Sequence, residues 1–213
     1  MKHSARTFLR NNAPFFLFIV LLFSFRSSVA DWYHVPSGSM EPTIQIGDRI
    51  VVDKSAYSIF VPFTNVELKK TAEIARGDIV IINSSAADKR LVKRVVGIEG
   101  DVVSLHNNAL TINGATATLE HSDSFIAAER VLGEERNIKL LPVDTPARHF
   151  DAVTVPSEHI LVMGDNRNNS VDSRYYGFIP VSEVQGKATS VAFSLDTDNY
   201  YLPRTSRLLV SLD

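Results

Sequence analysis

Gly77-Asp78-Ile79-Val80-Ile81-Ile82-Asn83, followed after a short polar gap by Leu91-Val92-Lys93-Arg94-Val95-Val96-Gly97-Ile98-Glu99-Gly100-Asp101, is the stretch that decides the fold. Both runs are short, rich in β-branched residues and bounded by Gly-Asp pairs, the pattern of strands separated by tight turns. The same punctuation recurs outward from them. Gly47-Asp48 precedes residues 49–54, and Gly164-Asp165 follows residues 159–163. Residues 102–105, the polar His106-Asn107-Asn108 and residues 109–113 predict a hairpin. Residues 152–155, 175–180 and 187–194 are further strand candidates, and 127–136 reads as a short helix. Residues 55–71 fit no single element, and 195–213 read as exposed loops ending in an apolar 208–212. The pattern predicts a mostly β, antiparallel fold, with 104–151 as a small inserted module.

The chain has 213 residues, 45% of them hydrophobic and 22% charged, which is ordinary for a globular protein. That length supports one core with a small appended unit. A net charge of -2 and the absence of long basic runs point away from nucleic acid. There is no cysteine, which excludes thiol catalysis and cysteine-ligated zinc. The six histidines show no metal-ligand spacing, so neither a metal nor another cofactor is expected.

At the N-terminus, a basic start carrying Lys2, Arg6 and Arg10 precedes an apolar run over 13–25. As a helix that run covers about 20 Å, short of the roughly 30 Å hydrocarbon core. Extending it to Ala30 supplies length but takes in Arg26, which near an end can reach the headgroups. The same pattern, ending in Ser28-Val29-Ala30, also describes a cleavable secretory signal. Under either reading the basic flank stays in the cytoplasm and the rest is exported.

Two segments carry candidate chemistry. In Val35-Pro36-Ser37-Gly38-Ser39-Met40-Glu41-Pro42 the prolines deny a helix, and Gly38 permits a bend that exposes Ser39. Lys93 stands inside an apolar strand, where it either points to solvent or is buried. A buried lysine is discharged by desolvation, from a usual pKa of about 10.4 into the range of a general base. A neutral amine beside a serine hydroxyl can replace the Ser-His-Asp arrangement. A third, polar segment, Gly164 to Gly177, invites a calcium-loop reading. That reading fails, because the glycine and glutamate positions counted from Asp165 hold Ser170 and Tyr176. It is better read as a polar loop holding a buried base, with its carboxylates offset by Arg94, Arg167 and Arg174.

Together the segments resemble bacterial type I signal peptidases, the membrane-anchored Ser-Lys endopeptidases. The matching pieces are Pro36-Ser37-Gly38-Ser39-Met40 with Pro42-Thr43, Ala75-Arg76-Gly77-Asp78-Ile79-Val80, Val92-Lys93-Arg94-Val95-Val96-Gly97 with Gly100-Asp101, and Met163-Gly164-Asp165-Asn166-Arg167 continuing through Ser170, Asp172 and Arg174 to Gly177. They fall in the family's order and cover 32–102 and 152–192. The resemblance implies an antiparallel β catalytic core of the type shared by signal peptidases and SOS repressors, over 31–103 and 152–213. The smaller β-rich module at 104–151 interrupts it, and a cytoplasmic tail (1–12) and one transmembrane helix (13–30) precede it.

By the same resemblance Ser39 is the nucleophile and Lys93 the general base. The Ser37 hydroxyl and Ser39 N–H form the oxyanion hole, and Ser170 orients the lysine amine by a hydrogen bond. Arg94, Asp165, Asp172 and Arg174 make a supporting ionic shell. Val35, Pro36, Met40, Ile44, Leu91 and Val92 line small pockets that select Ala-x-Ala before the scissile bond. Expected partners are exported preproteins and the lipid bilayer, with no nucleic acid and no metal. The expected location is the bacterial inner membrane, single-pass, with the catalytic domain outside the cytoplasm. Asn168 departs from the family's usual aspartate and removes a charge from the shell. The alternatives are a peptidase dedicated to one specialised exported substrate, such as a conjugative pilin, a self-cleaving Ser-Lys repressor, and a non-catalytic secreted β-sheet binding module.

Overall fold

The computed structural model describes residues 8, 10–64, 66–122, 125–143 and 145–212. Lys2 and Arg6 of the basic start lie outside them. The first element described in full is the helix Ala13–Ser28, 16 residues with Pro14 in its first turn, where a missing N–H costs nothing. It is about 24 Å long, and only Ser28 is buried. Among the described residues no helix is long and apolar enough to cross a membrane. The spanning helix expected over 13–30 is therefore corrected to a shorter one. It stops at Ser28 because the chain passes directly into a sheet. The Val29 carbonyl accepts from Lys54 N–H at 2.8 Å, and Ala30 pairs with Asp53.

The main sheet runs in the order Ala30–His34, Asp48–Asp53, Val184–Asp196, Ile79–Ser84, Lys89–Gly97, His159–Met163 and Ile179–Pro180. Every pairing is antiparallel, as expected. Its middle is covered on both faces, which is why Ile79–Ser84 reads as an unbroken apolar run rather than an alternating one. Ile79 and Ile81 pack with Met40, Ile44, Ile50 and Val191, whereas Val80 and Ile82 pack with Leu91, Val95 and Val162. The strand His159–Met163 lies against Lys89–Gly97 only from Arg94 to Gly97. Among the described residues no strand pairs with the outer edge of 89–93.

The expected hairpin forms as Val102–His106 and Ala109–Ile112, turning at Asn107 and Asn108, both left-handed at φ 51 and 65. Residues 127–136 are not a helix. They fall in the strands Ile126–Val131 and Glu134–Lys139, joined at Leu132 and Gly133, with φ 52 and 85. Ala and Glu favour helices locally, but here Ala127, Glu129 and Val131 alternate inward and tertiary burial overrides the preference. Residues 175–180 are likewise mostly not a strand. Asp172 caps a single helical turn, Ser173–Tyr176, and Gly177 at φ 77 ends it.

The expected seams at 103/104 and 151/152 fall inside a ladder, since Val102–His106 pairs with Phe150–Thr154. Val103, Leu105, Leu110 and Val131 share a core with Val96, Leu161 and Met163 of the main sheet. The segment 104–151 therefore shares packing with the main sheet.

Candidate active site

Residues 36–44 form a compact turn ahead of the strand Asp48–Asp53. Met40 and Ile44 anchor it in the core at 1% and 0% exposure, leaving Ser39 half-buried above them. The backbone of Gly38 does not enter the left-handed region, so its turn is one that other residues also adopt. The Gly164-Asp165-Asn166 segment holds the turn from the far side. Asn166 donates its backbone N–H to the Ser39 carbonyl at 3.1 Å and its side-chain amide to the Gly38 carbonyl at 3.0 Å. A side chain on Gly164 would collide with the Ser39 carbonyl oxygen and the Ser170 hydroxyl, so the backbone itself fills this gap.

Lys93 arrives from Lys89–Gly97 with 3% of its surface exposed, and its Nζ lies 2.7 Å from Ser39 Oγ. Burial lowers its pKa to about 8. The carboxylates of Asp172 and Asp165 oppose the shift, while the like charges of Lys89 and Arg174 reinforce it. At pH 7 about a tenth of the amine is then neutral and can accept the hydroxyl proton across one hydrogen bond.

The expected ionic shell is assembled around this pair. Arg94 grips Asp165 with two bonds of 2.9 and 2.7 Å and donates to the Gly77 carbonyl at 2.7 Å. Thr43 adds a 2.6 Å bond to Asp165. Asp172 accepts from Arg174 at 2.8 Å twice, from Gly164 N–H at 2.9 Å and from Ser170 Oγ at 2.7 Å. Burial opposes ionisation of Asp172, but Arg174 and the other donors hold its carboxyl below the usual range.

A part of the shell that the sequence reading missed lies deeper. Glu129, fully buried, takes two 2.6 Å bonds from Arg167 and one of 2.7 Å from Arg136. Burial again pushes up, and the two guanidiniums overcome it, holding Glu129 at about 2. Arg94, Arg136, Arg167 and Arg174 set against Asp165, Glu129 and Asp172 leave one excess positive charge.

The other expected site residues divide. Ser37 is exposed on the same cleft as Ser39 and makes no hydrogen bond among the described residues. Ser170 reaches the site, but its hydroxyl donates to Asp172. The bond to Lys93 that the resemblance implies is not among the hydrogen bonds of the described residues. Val35, Pro36, Met40, Leu91 and Val92 line a cleft of about 320 Å³ with Ser39 and Lys93. Ile44 does not, being wholly in the core beneath. Lys89, Arg90, Asn169 and Val171 also line the cleft and were not anticipated.

Asn168 stands apart from the guanidinium–carboxylate pairs, its amide 3.4 Å from the Val143 carbonyl, and Arg167 is paired with Glu129. A larger cavity of about 480 Å³ behind Arg94 contains neither Ser39 nor Lys93. The candidate site is marked by the amine–hydroxyl contact, not by cavity size. Among the described residues no cluster could hold a metal.

The family model described as signal peptidase, peptidase S26, matches residues 9–193. A probable signal peptidase I-2 of Synechocystis is 33% identical over 176 residues, covering 80% of this chain and 66% of the relative. The signal peptidase I of Pseudomonas fluorescens is 34% identical over 223 residues, covering 90% and 74%. A crystal structure of a signal peptidase I from Enterococcus faecalis V583 is 26% identical, covers 56% of this chain and all 100% of its own, and has a TM-score of 0.38.

Proposed function

Because this chain belongs to the signal peptidase family, peptidase S26, we propose that it removes signal peptides from exported preproteins with Ser39 as nucleophile and Lys93 as general base. The observation that carries this reading is the 2.7 Å contact between a buried lysine amine and a serine hydroxyl on a cleft. In the proposed reaction neutral Lys93 takes the Ser39 proton as Oγ attacks the scissile carbonyl. The Ser39 N–H and the unengaged Ser37 hydroxyl stabilise the oxyanion. The resulting ammonium gives its proton to the leaving amine, and the amine, neutral again, activates the water that releases the acyl group.

The open edge at 89–93 suits an extended substrate added as a strand, with backbone bonds supplying affinity. Val35, Pro36, Met40, Leu91 and Val92 leave room there for small side chains, which supports cleavage after Ala-x-Ala. The helix Ala13–Ser28 is apolar around its circumference, and nothing described covers it. We therefore place this helix in contact with lipid at the bacterial cytoplasmic membrane, with the sheet on the extracytoplasmic side where exported preproteins emerge.

N-terminal sequencing of the products of a model preprotein tests the reading. Wild-type protein should release one mature chain beginning after the small residue. Ser39→Ala and Lys93→Ala, each shown to unfold at a wild-type-like temperature, should release none. Near-normal processing by either variant would remove the dyad.

A further inference from the structure

The cleft holding Ser39 and Lys93 is electrostatically one-sided. Its lining carries Lys89, Arg90 and Lys93 and no carboxylate. Arg90 is held in place, its guanidinium carbon 4.1 Å from the centroid of the Tyr33 ring and its Nε 3.3 Å from Asn83 Oδ1. Lys89 is exposed and has no ion pair among the described residues. The neighbouring Asp88 sits in the turn at φ 49 and does not line the cleft.

Strand geometry gives these charges an address. Side chains alternate along a strand, so Lys89, Leu91 and Lys93 share one face, and a rise of about 3.3 Å per residue puts Lys89 about 13 Å from Lys93. A peptide added along the open edge has the same rise. With its last residue before the scissile bond at the dyad, its third lies beside Leu91 and its fifth beside Lys89. We propose that Lys89, backed by Arg90, forms a subsite favouring an acidic side chain at the fifth substrate residue before the scissile bond. The proposal rests on the Ser39–Lys93 reading and adds a charge preference to it.

The test uses the full chain in phosphatidylcholine vesicles at pH 9, above the value of about 8 for Lys93, so that the base is mostly neutral. Two model preproteins are compared that differ only by Glu or Gln at the fifth position. Taking the ratio of kcat/KM for the two substrates within one enzyme cancels any change in the base itself. Wild-type should prefer Glu by about 3- to 5-fold, the scale of a partly exposed ion pair, and lose the preference in high salt. Lys89→Gln should bring the ratio to about 1, and Lys89→Glu should invert it in favour of the Gln substrate. A ratio of 1 in wild-type, or one that Lys89→Glu leaves unchanged, overturns the subsite. So does a rate that follows added phosphatidylglycerol whatever residue is fifth, which would assign the cations to lipid headgroups. Cleavage of neither substrate by wild-type, or of both by Ser39→Ala, overturns the dyad itself and is distinct from a flat charge ratio.

Discussion

Lys93 and Arg94 are neighbours on one strand and both are buried, at 3% and 8% exposure, yet they meet opposite electrostatic fates. Burial disfavours the charge on each. Arg94 faces Asp165, whose carboxylate overcomes that penalty and raises its pKa above the ordinary value. Lys93 faces a hydroxyl, so burial prevails and its pKa falls to about 8. Burial sets the cost and the partner decides whether the residue keeps its proton. The same strand therefore supplies a structural cation and, one position away, a proposed base.

The sharpest way to break this contrast is to give position 93 the chemistry of position 94. A guanidinium cannot be deprotonated in a protein, so Lys93→Arg should lower kcat/KM by about 10⁴-fold, the upper range for a general base. Wild-type activity should rise with pH around a midpoint of about 8, measured as preprotein cleavage across pH 6 to 10 (~). An arginine variant that retains a tenth of wild-type activity (~) would show that proton transfer from Ser39 does not need residue 93.

On the paired side, Glu129→Gln strips Arg167 and Arg136 of their shared carboxylate and leaves buried guanidiniums uncompensated. The expected loss is about 3–5 kcal/mol of unfolding free energy in urea. A loss below about 1 kcal/mol would mean that water reaches the pair.

The smallest effect concerns what a buried amine costs. Its pKa is about 8 in the fold against an ordinary 10.5, so between those values the unfolded chain binds more protons and stability rises with pH. The penalty is complete below about 8 and disappears above about 10.5. Lys93→Met should therefore be more stable than wild-type by about 3 kcal/mol at acidic pH, with the gap closing by about pH 11. Denaturant melts at both extremes check this, and a gap independent of pH would place the amine in water.

The strands at 79–83 and 91–98 are legible because coverage on both faces leaves an uninterrupted apolar text. The hairpin at 107–108 is legible because two asparagines accept left-handed backbone. Residues 127–136 are not, since what makes Glu129 a strand residue is Arg167, 38 positions away. The proximity of Ser39 and Lys93 was visible in the motifs that carry them. The motifs did not show that the Ser170 proton points to Asp172, nor that Ile44 lies beneath the cleft rather than in it. The first is a local contact two residues apart, and the second is set by packing from elsewhere in the chain. Asn166 stood in a quoted motif, but its grip on the Gly38 and Ser39 carbonyls needs the two loops brought face to face.

The junction between helix and sheet has a mechanical consequence. One residue, Val29, separates Ser28 from Ala30, and its carbonyl is already tied to Lys54. A joint that short passes on rotation instead of absorbing it. If the helix sits in lipid as proposed, any change in its lean swings the sheet and the open edge at 89–93 as one body. The thickness of the surrounding lipid then becomes a lever on how far the cleft reaches toward a passing chain.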